Sequence, residues 1–267
     1  MYKRQYEAIT GWVKSYYHPF GREYDKSLPA NEGDYYTDKL TDAAIDFIEQ
    51  NKDQPFFVHL EHFSVHDPIQ GRKDLVRKYE KKLAAMPRQE GPDFILEPNP
   101  DGSTLSGDEL KTLEKDDTSE THQNARVWWV KQKQDNIEFA GMVEATDQSL
   151  GRIRAKLKEL GLEKNTIIIF TSDNGGMAAS NQYRGISQPR ESLDKYFASS
   201  NLPLRGAKGW NYEGGIRVPL IVYWPGKTQP DSTSHAVVTG TDYYCLLYTS
   251  DAADDSLRVD LGGRRII

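Results

Sequence analysis

The sequence predicts an α/β domain, a mainly parallel sheet flanked by helices, and three observations carry that expectation. A helical pattern runs into a short apolar strand twice, first at residues 37–50 and 56–60, then at 137–160 and 166–170. That order builds parallel sheets. The strands are brief β-branched or aromatic runs such as Ile167-Ile168-Ile169-Phe170, of the kind buried on both faces. The last of these runs into Asp173-Asn174-Gly175-Gly176, and ligands of open α/β sheets sit beyond the carboxyl ends of strands.

Composition narrows the classes. The 267 residues suffice for one α/β domain or two small ones. Net charge is −6, from 34 basic and 40 acidic residues mixed along the chain, so no basic patch marks a nucleic-acid partner. Mean hydropathy is −0.72. No apolar run approaches the length of a membrane span, and the first twenty-one residues lack the apolar segment of a signal peptide. Cys245 is the single cysteine, so no internal disulfide can form.

Taken in order, residues 1–31 are aromatic and turn-rich, with no periodicity that begins a fold. Thr37–Gln50 reads as a helix with Leu40, Ala44, Phe47 and Ile48 on one face and Thr37 as N-cap. Pro55 opens the strand Phe56–Leu60, and a loop with His62, His66 and Pro68 follows. Arg72–Met86 looks helical, with Leu75, Tyr79 and Leu83 in register. Residues 87–125 read as a surface insertion, with a short helix expected at 107–113. Ile137–Leu160 is a long amphipathic helix whose expected stripe is Ile137, Ala140, Val143, Leu150, Ile153, Leu157 and Leu160, with Gly161 at C′. A polar loop spans 181–201, with a short helical piece at 191–198. Glycines 206, 209, 214 and 215 then indicate irregular backbone in close approach. Val218–Trp224 is a third apolar strand, stopped by Pro225-Gly226.

Several residues suit chemistry. Asp173 and Asn174 place two oxygen donors on a turn, which suits a hard cation such as calcium; the same residues also make an ordinary turn. His59, His62 and His66 have spacings known from zinc sites, but no cysteine or HExxH pattern supports zinc. His66 follows a strand end, as Asp173 does, on what the pattern predicts to be the same edge of one sheet. Its alternative is a loop histidine bonded to backbone. Lys208 lies among glycines that let an anion approach, or is a solvated surface lysine. Arg205, Glu213 and Arg217 could form an ion-pair set. Together, a cation-ligand pair, a histidine and a lysine suit a tetrahedral oxyanion ester, its oxygens neutralised and one proton handled by histidine.

Four motifs, VHDP at 65–68, MVEATD at 142–147, FTSDNGG at 170–176 and LRGAKG with EGGIRVP at 204–219, fall in a fixed order over roughly 32–244. In these the chain resembles the sulfatase family of the alkaline phosphatase superfamily. The resemblance implies an alkaline-phosphatase-like fold and hydrolysis of sulfate monoesters of a sulfated small molecule or glycan. It implies Asp173 and Asn174 as calcium ligands, Lys208 as a sulfate contact, and His66 as the group beside the bridging oxygen. A phosphoester or phosphonate hydrolase of the same superfamily, or an inactive carbohydrate-binding relative, are the alternatives.

The chain also departs from the family pattern. It holds no C/S-x-P-S-R motif, the source of the formylglycine nucleophile, and no paired aspartates to complete the calcium shell. It therefore reads as an internal fragment lacking the N-terminal formylglycine segment, inactive by itself. Export is common in the family, and any signal peptide would lie upstream. Residues 1–244 are read as a partial catalytic domain. Residues 245–267 depart from the family's continuation, and Cys245–Asp255 resembles an in-frame translation of a sequencing adapter, so this tail is read as non-native.

Overall fold

A computed structural model describes residues 4–8, 13–21, 28–98, 108, 127–179 and 197–243. The helices form where the spacing of apolar residues predicts them. Helix α1 spans Tyr36–Gln50 and buries Leu40, Ala44 and Ile48. Helix α2 spans Lys73–Ala85, and of its expected stripe Leu75 alone is buried while Leu83 is exposed. Helix α3 spans Ile137–Glu159, is capped where Asn136 accepts from the Phe139 N–H, and gives way to Gly161 at φ +72°. It packs against both α1 and α2.

Two local expectations change. Thr37 is not the cap of α1. The helix begins a residue earlier, and the Tyr36 N–H donates to the Tyr16 carbonyl at 2.8 Å. A backbone carbonyl from the preceding loop thus satisfies a helix-end donor that a capping side chain would otherwise serve. The buried face of α3 is Gly141, Met142, Ala145, Ser149 and Leu157, while Val143 is exposed. Gly141, Ala145 and Ser149 stand four apart on one face. Gly141 faces Val76 of α2 and Ser149 meets Thr41 of α1. Small residues let three helices approach closely, and a search for large apolar residues overlooks them.

The aromatic, turn-rich start, in which no periodicity began a fold, supplies an aromatic core. Val13, Tyr16, Phe20, Tyr35 and Tyr36 are buried with Leu40, Leu75, Met142 and Ala145. The Tyr16 ring stacks on Tyr35 at 5.7 Å, and Phe20 meets Tyr36 edge-on at 4.8 Å. Such pairs add to plain burial.

Among the described residues the strands form three two-stranded sheets. β1 (Arg4–Ala8) runs parallel to β2 (Phe56–Leu60), from Arg4↔Phe56 to Ala8↔Leu60. β3 (Phe94–Pro98) pairs antiparallel with β4 (Val127–Lys131). β5 (Ile168–Thr171) pairs antiparallel with β6 (Leu220–Tyr223). The α/β class stands, but parallel pairing is confined to β1–β2, and β2 and β5 do not share a sheet among the described residues. No described strand lies between them to join their ladders. β5 is half-buried over Ile168–Phe170 and exposed at Thr171, rather than covered on both faces, as suits a strand in a two-stranded sheet.

Strand β3 lies inside the stretch read as an insertion. Lys131 and Lys133 at its partner's end are buried and pair with Asp135 at 2.7 Å and Asp93 at 2.6 Å; buried ammonium groups require such partners. The short helices expected at 107–113 and 191–198 fall almost wholly outside the described residues, as does the tail from 245. Residues 1–225 form one unit and 226–267 a second. The described part of the second is turn-rich and ends in a helical turn at 240–243, where the Thr239 N–H donates to Asp242 Oδ2 at 2.6 Å.

Candidate functional site

Strand β5 delivers Asp173 and Asn174 onto a turn, with Asp173 exposed and Asn174 half-buried. The Ser172 hydroxyl closes that turn by donating to the Asn174 carbonyl at 2.9 Å. Two glycines then run against the loop that carries Lys208. The Gly175 N–H donates to the Gly215 carbonyl at 2.8 Å, and the Lys208 N–H donates to the Gly176 carbonyl at 3.0 Å. A Cβ at Gly175 would overlap the Gly214 carbonyl, so only glycine permits this approach. The Gly214 N–H donates to the Arg205 carbonyl at 2.7 Å, and helix α4 (Glu213–Ile216) closes the loop. Two of the three predicted segments therefore meet, thirty-five residues apart in sequence.

The third, His66, has its own setting. Its Nδ1 lies 2.6 Å from Asp67 Oδ1 and 3.1 Å from the Asp67 carbonyl. Both are acceptors, so Nδ1 carries the hydrogen. The ring packs on Phe63 at 4.9 Å, and the His66 N–H donates to the Phe63 carbonyl. The hydroxyl of buried Tyr16 lies 2.9 Å from the Phe63 carbonyl and 3.0 Å from that of His66, a shared donor that holds the loop. Burial pushes the Tyr16 phenol up, so it stays a donor.

The other two histidines take different partners, and the three do not act as one set. His59 is exposed near Glu61 at 3.4 Å. His62 Nε2 lies 2.9 Å from Ser149 Oγ, and Thr41 bridges Ser149 to the Thr37 carbonyl. Burial pulls the His62 imidazole down to about 4, so it is neutral at ordinary pH. Of the proposed ion-pair set, Arg217 pairs with Glu213 at 3.2 Å, while Arg205 turns to Glu97 at 3.6 Å and lies over the Tyr212 ring at 4.2 Å.

Pattern reading missed two features here. The antiparallel β3–β4 pair packs on the site loops: the Lys131 N–H donates to the Ala178 carbonyl at 2.7 Å, and Val130 and Ile95 pack with Ala207, Trp210 and Tyr212. Asn201 donates to three loop carbonyls. The only sequence signal for it is a turn-forming Asn just before Leu202-Pro203.

Calcium would need hard oxygen donors, roughly six to eight of them. Asp173 and Asn174 offer oxygen donors of that kind. Among the described residues no group of three or more His, Cys, Asp or Glu gathers to hold a metal ion. No described helix is long and apolar enough to cross a membrane.

The sulfatase family model matches residues 2–245. This chain belongs to the sulfatase family. Its α/β fold is accordingly that of the alkaline phosphatase superfamily. It is 29% identical over 247 residues to an uncharacterized sulfatase of Schizosaccharomyces pombe, covering 78% of this chain and 41% of that protein. It is 27% identical over 272 residues to a sulfatase of Formosa agariphila, covering 91% and 38%. Over 106 residues it is 35% identical to N-acetylgalactosamine-6-sulfatase of Rattus norvegicus, covering 40% and 18%. The chain thus spans about two fifths of the length of the first two relatives.

Proposed function

We propose that this chain is the part of a sulfuric ester hydrolase that binds the sulfate group and protonates the leaving oxygen. The observation that carries the reading is the junction of the Asp173 turn with the Lys208 loop, within a chain matching the sulfatase family over residues 2–245. A sulfate monoester carries one negative charge, and its bridging oxygen gains charge as the S–O bond breaks. The Lys208 ammonium neutralises a sulfate oxygen. His66 Nε2 gives its proton to the departing oxygen, with Asp67 holding the ring and balancing the imidazolium. Asp173 and Asn174 would supply two of the oxygen ligands of a calcium ion, which would add positive charge against the sulfate. The formylglycine of the family supplies the nucleophile and is expected outside this chain, so the reaction is assigned to the full-length protein. The 267 residues alone are expected to release no sulfate.

A sulfated sugar is the substrate class we favour, since one similar protein is named an N-acetylgalactosamine-6-sulfatase. The test is sulfate release from 6-sulfated N-acetylgalactosamine by the full-length protein, with and without a calcium chelator. Release that the chelator abolishes supports the reading. Release indifferent to chelation removes Asp173 and Asn174 as ligands, and no release from any sulfate ester ends the reading.

A further inference from the structure

We infer that Asn201 is the positioning residue of this site: its amide binds the Asp173 turn, the Lys208 loop and the Gly214 turn together, and so sets where the Lys208 ammonium meets an anionic oxygen. The role of Lys208 rests on the function proposed above; the geometry of Asn201 does not.

Asn201 Nδ2 lies 2.9 Å from the Gly176 carbonyl, 3.1 Å from that of Gly206 and 3.0 Å from that of Gly214. All three neighbours accept only, so the amide nitrogen must face them, and two hydrogens are shared among three oxygens. These carbonyls belong to the three segments that build the site. Gly176 follows Asp173 and Asn174, Gly206 precedes Lys208, and Gly214 lies beside Gly215, which accepts from Gly175.

Their convergence follows from the glycines. A Cβ at Gly214 would overlap the Arg205 and Gly206 carbonyls, and one at Gly215 would overlap those of Ala207 and Trp210. Bare backbone lets the loops touch, and touching brings the negative ends of three carbonyl dipoles to one point. Unpaired, those oxygens repel one another and would part. A donor at their centre reverses the sign of the interaction. A Cβ at Gly176 would strike the side-chain oxygen of Asn201, so the amide sits directly against this glycine. The residue itself is anchored, since the Leu204 N–H donates to the Asn201 carbonyl at 2.9 Å and the Leu202 N–H to Ser200 Oγ at 3.2 Å.

The consequence is that Asn201 touches no reacting group yet governs how Lys208 and Asp173 stand relative to each other. Misplacement by about 1 Å can cost on the order of 10²-fold in rate. Asn201→Asp keeps the shape, removes both donors and turns a carboxylate on three carbonyls. Asn201→Ser keeps one shorter donor.

Two readings test this. Hydrogen exchange compares the Gly175, Lys208 and Gly214 amides with those of α3. We expect Asn201→Asp to speed the three loop amides by about tenfold or more while α3 is unchanged, with Asn201→Ser between. In the full-length protein, turnover of 4-nitrophenyl sulfate should show KM rising as well as kcat falling. A purely structural residue would lower the active fraction and leave KM alone. Equal exchange in all three proteins, equal acceleration of loops and α3, or an unchanged KM would overturn the inference. If Asn201→Asp fails to fold, Asn201→Ser is judged by the same criteria. Should the unsubstituted protein cleave no sulfate ester, the sulfatase reading falls, and the exchange comparison, which needs no turnover, still decides for or against Asn201 as the clasp.

Discussion

The Lys208 N–H donates to the carbonyl of Gly176 at 3.0 Å. That bond joins the turn that follows β5 to the glycine-rich loop that carries Lys208.

Lys208→Ala in the full-length protein should lower kcat/KM for a sulfate ester by about 10²–10³-fold, since it removes one charge from a clustered anion site. Lys208→Arg should recover part of the loss. Steady-state kinetics on 4-nitrophenyl sulfate measure both.

His66→Ala should cost about 10²–10⁴-fold where the leaving oxygen needs a proton. The cost should therefore be larger for a sugar sulfate than for 4-nitrophenyl sulfate, whose phenolate leaves readily. Equal losses on the two substrates would remove His66 as the acid.

Tyr16→Phe leaves the Phe63 and His66 carbonyls without their shared donor. The expected cost is about 1–3 kcal/mol of stability, read from urea unfolding. Activity should fall further than the stability loss explains, because the loop that carries His66 loosens.

His62 gives a pH signature. Its imidazole stands near 6.5 when unfolded and is pulled to about 4 in the fold by burial. Below 6.5 the unfolded chain takes up the proton first, so stability is full above that pH and falls as pH drops toward 4. Each unit of depression corresponds to about 1.4 kcal/mol, so the loss reaches a few kcal/mol at the acid end. Melting temperatures from pH 7 to pH 4 should show this slope, and His62→Gln should flatten it.

α1, β2, α2, α3, β5 and β6 were legible because each follows an apolar period that a local reading captures. α1, β2 and α3 begin and end within about two residues of expectation. What escaped depends on neighbours distant in sequence. β3 lies in a Pro-rich stretch whose pairing with β4 is set about thirty residues away. The inner face of α3 uses Gly141 and Ser149, which carry little hydrophobic signal. Asp173, Asn174, Lys208 and His66 could be named from motifs, but Asn201 could not, since its role exists only where three loops meet. The shared sheet edge predicted for His66 and Asp173 is not formed among the described residues, because strand pairing is a property of partners and not of runs.

The most direct test of the central claim compares matched esters. Release of sulfate from 4-nitrophenyl sulfate and of phosphate from 4-nitrophenyl phosphate is followed with the full-length protein and with its Lys208→Ala variant. We predict faster cleavage of the sulfate, lost in the variant. Faster cleavage of the phosphate, or sulfate cleavage that survives Lys208→Ala undiminished, would contradict the account.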